Sequence, residues 1–102
     1  MAAELTDVVD LSIVIVSWNT CRLLDECLGS VRQELARQGD SLNMRAEVFV
    51  VDNGSTDGSV EMVRTRYPDV KVIANRHNPG FAGANNQALA EARGRFSLLL
   101  NP

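Results

Sequence analysis

Four apolar runs alternate along the chain with stretches of helical periodicity. Leu11–Val16 (LSIVIV) is continuous and rich in β-branched residues, which predicts a strand buried on both faces. Glu47–Val51, Val70–Ala74 and Phe96–Leu100 predict three more strands. From Cys21 onward, Leu24, Cys27, Leu28, Val31 and Leu35 fall at helical spacing, with Arg22, Asp25, Glu26, Arg32 and Glu34 between them. This predicts an amphipathic helix, capped by Asn19 or Thr20 and ended by Gly39-Asp40-Ser41. Val60, Val63 and Tyr67 mark a short helix stopped by Pro68. Phe81–Arg93 is an Ala-rich helix with Gly94 placed to end it. The order is β-α-β-α-β-α-β. Each strand-to-strand crossover contains a helix, so the expected fold is a Rossmann-like α/β arrangement with a mostly parallel sheet and right-handed connections.

The 102 residues allow one domain, and a 45% hydrophobic content supplies a core, which excludes wholesale disorder. Ten Lys+Arg stand against 13 Asp+Glu, a formal charge of −3. That balance gives no field attractive to phosphate backbones, so nucleic acid is not an expected partner. Runs such as Ile13–Val16 and Leu98–Leu100 fall far short of the roughly 20 residues of a membrane span. Residues 1–10, with Glu4, Asp7 and Asp10, lack a basic segment before an apolar one. They read as a flexible leader rather than a secretory signal, and residues 11–102 as the domain. Cys21 and Cys27 lie in one predicted helix and do not face each other for bridging. Free thiols point to a reducing compartment, the cytoplasm. The chain closes on the apolar Leu98–Leu100 followed by Asn101-Pro102, with nothing after it to cover a buried strand. It is therefore expected to be a piece of a longer protein.

Ligands of open parallel sheets bind at the carboxyl ends of the strands. Those ends here carry Ser17-Trp18-Asn19, Asp52–Asp57, Asn75–Gly80 and Asn101-Pro102, which gather most of the polar residues outside the helical periodicities. Asp52 directly follows buried Val50-Val51, so its carboxylate is expected at the strand tip, free of capping duty and able to accept bonds from a ligand. Asp57 or Ser59 reads instead as the cap of the following helix, and Gly54 as a tight turn. Three other motifs fail. An EF-hand loop begun at Asn53 would place Arg64 at its twelfth position. Ser17–Cys21 contains no glycine for a dinucleotide fingerprint. The single lysine, Lys71, lies inside a strand and cannot serve a Walker loop. Trp18 either stacks on a base or walls the cleft. His77 and the Arg76–Asn78 pair either meet phosphate or are solvated loop residues. Cys21 and Cys27 have neither metal-ligand spacing nor a base partner, so they read as core-facing or half-buried thiols.

Four blocks in order carry a resemblance: Ser12–Asn19 (SIVIVSWN), Val50–Asp57 (VVDNGSTD), Asn78–Asn86 (NPGFAGANN) and Leu98–Pro102 (LLLNP). Together they resemble the N-terminal, nucleotide-sugar-binding half of a family 2 glycosyltransferase with the GT-A fold, in its rhamnosyltransferase-like branch. The expected strand order is then 3-2-1-4. By this resemblance Ser17 and Trp18, with Asn19 beside them, line a nucleoside pocket. Asp52 bonds a pyrimidine base, and Asn53 and Ser55 shape its loop. Gly80, Phe81, Asn85 and Asn86 lie beside nucleotide and sugar. The family's Mg2+ or Mn2+ ion is held by an acidic residue expected one position after Pro102. No metal ligand and no catalytic residue is therefore expected in this chain, which by itself should bind nucleotide weakly, carry no ion and transfer no sugar.

The implied function of the parent protein is inverting transfer from a nucleoside-diphosphate sugar, with dTDP-rhamnose as the donor to test. The acceptor would be a glycan or a lipid-linked sugar in cell-surface polysaccharide synthesis, at the cytoplasmic face of the membrane. Self-association through the fourth strand's open edge is expected as well. Two alternatives belong to other classes. A nucleotidyltransferase, or another nucleotide-sugar or Rossmann-like enzyme, would need a Gly-rich phosphate loop after the first strand, and Ser17–Thr20 supplies none. A non-catalytic binding module would keep the fold only, without an acidic residue directly after Pro102 and a catalytic base farther along.

Overall fold

The computed structural model describes residues 8–42 and 44–102. Its elements are β1 (Leu11–Ser17), α1 (Cys21–Leu42), β2 (Ala46–Asp52), α2 (Ser59–Arg66), β3 (Lys71–Ala74), α3 (Gly80–Glu91) and β4 (Phe96–Leu100). The strands form one parallel sheet in the order β3-β2-β1-β4, as expected. In register, Ser17 pairs with Asp52 and Asp52 with Ala74, so three strands end level with one another.

The pleat divides the core in two, because successive side chains point to opposite faces. Ile13, Ile15 and Val50 face one side, where Leu24 and Leu28 of α1 and Val63 and Tyr67 at the end of α2 cover them. Val14, Phe49 and Val51 face the other, packed on Ala84 and Ala88 of α3. The small alanines let α3 lie close to β1 and β2. On the first face the Tyr67 hydroxyl donates to Asp25 Oδ1 at 2.6 Å, and the Arg32 guanidinium stacks 4.4 Å from the Tyr67 ring. Arg66 pairs with Asp25, so α1 and α2 are held together by polar contacts as well as packing.

Two helix ends differ from expectation. The helix α1 continues through Gly39 to Leu42 instead of stopping at Gly39-Asp40-Ser41. An interior glycine costs a helix only about 1 kcal/mol, too little to end it. The helix α3 stops at Glu91 rather than Arg93, with Ala92 already extended at φ −67°, ψ 136°. Gly94 therefore does not cap it. A Cβ on Gly94 would lie 2.6 Å from both the Ser12 backbone nitrogen and Oγ. Its glycine serves close approach of two backbones. The α2 boundary follows the expected rule, since Tyr67 before Pro68 leaves the helical region at φ −131°.

Glu47 is buried at the amino end of the sheet. It accepts bonds from Ser12 Oγ (2.6 Å), Lys71 Nζ (2.8 Å) and the Arg93 N–H (2.6 Å). Burial alone would raise its pKa, but the Arg93 N–H, Lys71 and Ser12 outweigh it and lower the value to about 2 from 4.5. A depressed carboxyl stabilises the fold above its unfolded pKa, and that contribution fades as pH falls from about 4.5 to about 2. The shift corresponds to on the order of 3 kcal/mol. Urea unfolding at pH 7 and at pH 2.5 should show wild type losing roughly that much more stability than Glu47→Gln. Equal losses would contradict the network.

Residues 1–7 of the expected leader lie outside the described residues. Val9 and Asp10 extend the sheet, accepting bonds from the Arg95 and Phe96 N–H groups. On the far side of β4 no strand follows among the described residues. There Phe96, Leu98 and Leu99 are 68%, 44% and 46% exposed. Self-association through this edge is the expected result. Sedimentation equilibrium should show the mean mass rising with concentration, whereas a monomer throughout would contradict it.

Candidate functional site

The loops after β1, β2 and β3 meet along the carboxyl edge of the sheet. Asp52 sits at its centre, 2% exposed. Its Oδ2 accepts the Ser55 N–H at 2.8 Å, so, contrary to expectation, the carboxylate does serve the local turn. Its Oδ1 is buried and has no hydrogen-bond partner. A buried acceptor left unpaired costs about 1–3 kcal/mol, a deficit that a ligand N–H would remove. Gly54, at φ +85°, makes the turn possible, and a Cβ added there would reach ordinary contact with the carbonyl oxygens of Arg76 (3.4 Å) and Asn75 (3.5 Å).

The expected site residues divide by what their polar groups already do. Ser17 is buried with its hydroxyl 3.0 Å from that of Thr20. Asn19 is spent on the neighbouring loop: its N–H donates to Ser55 Oγ, and its Oδ1 accepts the Thr56 N–H, both at 2.8 Å. Its φ of 51° is left-handed, a conformation asparagine tolerates better than most residues. Asn53 is also buried and engaged. Its N–H reaches Ser17 O (2.9 Å), its Oδ1 accepts from Asn75 Nδ2 (3.1 Å), and its Nδ2 points to Gly80 O (3.5 Å). Asn19 Oδ1 and both polar side-chain atoms of Asn53 are thus engaged within the loops of this edge.

The start of α3 brings Gly80, Phe81, Asn85 and Asn86 to the same edge. Asn85 is 4% exposed, and its Nδ2 bonds Phe81 O, while its Oδ1 is buried without a partner. Phe81 and Trp18 are 54% and 56% exposed. Asn86 is exposed, as are Arg76 and His77. Cys21 and Cys27 are half-buried and free, and burial raises the Cys27 thiol pKa.

Sequence reasoning missed two parts of this edge. Asn75 and Gln87 form a reciprocal amide pair (2.7 and 2.9 Å) that ties the β3 loop to α3. Asp57 does more than cap the next helix. The residue at the α2 cap position is Gly58, without a side-chain bond. Asp57 precedes it, taking the Ser59 N–H (3.1 Å) and hydroxyl on Oδ1 and the Cys21 N–H (2.9 Å) on Oδ2. The Ser59 hydroxyl is the main cause holding its pKa below the usual carboxylate value. Slight desolvation opposes it, and the Cys21 and Ser59 N–H groups add to it. The polar Ser/Thr/Asp run was the available signal, but a partner 36 residues away leaves no local pattern.

A parallel sheet in this order, with polar loops gathered on its carboxyl edge, defines a Rossmann-like α/β domain of the GT-A kind. The solved structure of S. aureus TarS 1-349 shares it. It matches at a TM-score of 0.70 and 26% identity, over 90% of this chain and 27% of that one. A family model, glycosyl transferase family 2, matches residues 12–102, and the chain belongs to that family. The uncharacterized glycosyltransferase YfnE of Bacillus subtilis is 35% identical over 85 residues, 81% of this chain and 20% of its own length. The N-acetylglucosaminyl-diphospho-decaprenol L-rhamnosyltransferase of Mycobacterium tuberculosis is 31% identical over 87 residues, 85% of this chain and 25% of its own. The chain spans about a fifth to a quarter of the length of these two curated relatives.

Proposed function

We propose that this chain is the nucleotide-binding part of an inverting glycosyltransferase, and that the carboxyl edge of its sheet holds the nucleoside of a nucleoside-diphosphate sugar. The unpaired, buried Oδ1 of Asp52 carries this reading. Uracil and thymine present an N3–H donor, the group that such an acceptor lacks. Ser17 and Asn53 flank it as walls already fixed by their own hydrogen bonds. The exposed rings of Trp18 and Phe81 offer apolar faces to a base or sugar. The Asn85 Oδ1 and the exposed Asn86 amide are polar groups available to the rest of the donor.

A rhamnosyl donor such as dTDP-rhamnose, a glycan or lipid-linked acceptor, and a place at the cytoplasmic face of the membrane belong to the same proposal. The name of the mycobacterial relative supports the first two. Among the described residues no helix is long and apolar enough to cross a membrane. The family's Mg2+ or Mn2+ ion does not fit the groups of this edge by themselves. Both Asp57 oxygens are taken by N–H or hydroxyl donors, one Asp52 oxygen is taken, and no three acidic, histidine or cysteine side chains converge among the described residues. Its ligands, like the acceptor's base, would have to come from other residues.

Calorimetric titration of this chain with uridine, thymidine and cytidine diphosphates tests the reading. Saturable binding of the first two, with cytidine diphosphate roughly tenfold weaker or worse, is expected, because cytosine N3 is an acceptor and would face the carboxylate. No binding at millimolar ligand, or equal affinity for all three, would contradict it.

A further inference from the structure

We propose that Asp57, which touches none of the groups assigned to the nucleotide, is a positioning residue for that site, acting as one clasp on two loops. The proposal rests on the nucleotide reading above. Four hydrogen bonds join the β1–α1 loop to the β2–α2 loop: Asn53 N–H to Ser17 O, Asn19 N–H to Ser55 Oγ, Thr56 N–H to Asn19 Oδ1, and Cys21 N–H to Asp57 Oδ2. Three of the four pass through Asn19 or Asp57. Asp57 alone reaches both helices, because its second oxygen takes the N–H of Ser59, a residue 1% exposed at the start of α2. The free N–H groups of two helix starts are thereby met by one carboxylate.

The geometry passes this hold on to the site. Ser55 orients the Asp52 carboxylate through its N–H, and so decides where the unpaired Oδ1 points. Ser55 is in turn held by Asn19, whose left-handed backbone follows directly on Trp18. Releasing Asp57 from Cys21 loosens the segment that carries Trp18 and, one bond farther on, the turn that aims Asp52. Affinity then falls because the loops must be ordered at the moment of binding.

Trp18 is the only tryptophan, so its fluorescence reports one of the two loops directly, with or without nucleotide. The test compares wild type, Asp57→Ala, Asp57→Asn and Glu47→Gln, using uridine diphosphate as ligand and conditions in which all are folded. Asp57→Ala should weaken binding about tenfold and lower Trp18 anisotropy in the free protein. Asp57→Asn keeps one acceptor oxygen and should fall between it and wild type. Glu47→Gln loses stability at the opposite end of the sheet and should keep both affinity and anisotropy. The proposal is overturned if Asp57→Ala binds like wild type, or if Glu47→Gln loses as much affinity as Asp57→Ala. Failure of wild type itself to bind is the distinct failure of the nucleotide reading, and it overturns this proposal with it.

Discussion

Asparagine at position 52 should reverse the base preference of the site. In Asp52→Asn the side-chain oxygen can still accept the Ser55 N–H, so the turn survives. The other position becomes an NH2 donor where Oδ1 stood unpaired. Uracil or thymine N3–H would then meet a donor, and binding of uridine or thymidine diphosphate should weaken by about 2 kcal/mol. Cytosine N3 would meet a partner, and cytidine diphosphate should bind at least as tightly as to wild type. Asp52→Ala loses the attraction without gaining the new one, so it should weaken uridine diphosphate binding by roughly 1–3 kcal/mol and give cytidine diphosphate no advantage. Calorimetry on the three proteins decides this. Unchanged affinities in both variants would remove Asp52 from the site.

The second large effect is on stability. Gly94→Ala places a methyl group 2.6 Å from the Ser12 nitrogen and hydroxyl and 2.8 Å from the Leu11 carbonyl carbon. Two of these atoms are backbone of β1, a central strand, so relief requires moving the strand or the chain that enters β4. The shift would also break the Gly94 N–H bond to Ser12 Oγ, and with it the group that Ser12 donates to Glu47. About 3 kcal/mol of destabilisation is expected, the upper range for overpacking. A domain of this size should then melt roughly 12–24 °C lower. Gly58→Ala supplies the contrast, because Gly58 has φ +84° and open space around it. There only the left-handed backbone is penalised, by about 1 kcal/mol. Thermal unfolding that ranks Gly58→Ala as the more harmful variant would contradict the close approach at Gly94.

These residues also mark where sequence patterns stop being informative. The four strands were legible as short apolar runs, and helix-containing crossovers require parallel pairing, whereas their order 3-2-1-4 was implied by the family resemblance rather than by periodicity. The inward face of α1 was legible too, since Leu24 and Leu28 are buried as their spacing predicts. Gly94 was misread because a glycine near a helix end has two physical uses, capping and close approach, and only three-dimensional proximity to Ser12 separates them. Gly39 was misread because its helix cost is small. At the site, Asp52 was placed at its strand tip from the order Val50-Val51-Asp52 alone. Its half-use by Ser55 was not legible, because the turn at Gly54 that brings the Ser55 N–H back to the carboxylate leaves no periodic mark in the sequence. Asn19 and Asp57 act across 36 or 37 residues, a distance at which no periodicity speaks.

The central claim is that the nucleoside sits on the carboxyl edge of the sheet. Nitrogen-15 labelled protein titrated with uridine diphosphate tests it most directly, through the amide shifts of each residue. The account predicts saturable shifts at Ser17–Thr20, Asp52–Ser55 and Gly80–Asn86, with the amino-edge residues Ser12, Glu47 and Gly94 unmoved. Away from this edge, a concavity of about 210 Å3 lies between α1 and the β2–β3 side and is lined by Leu28, Val31, Tyr67 and Val70. Shifts confined to those residues, or a spectrum unchanged at saturating ligand, would contradict the account.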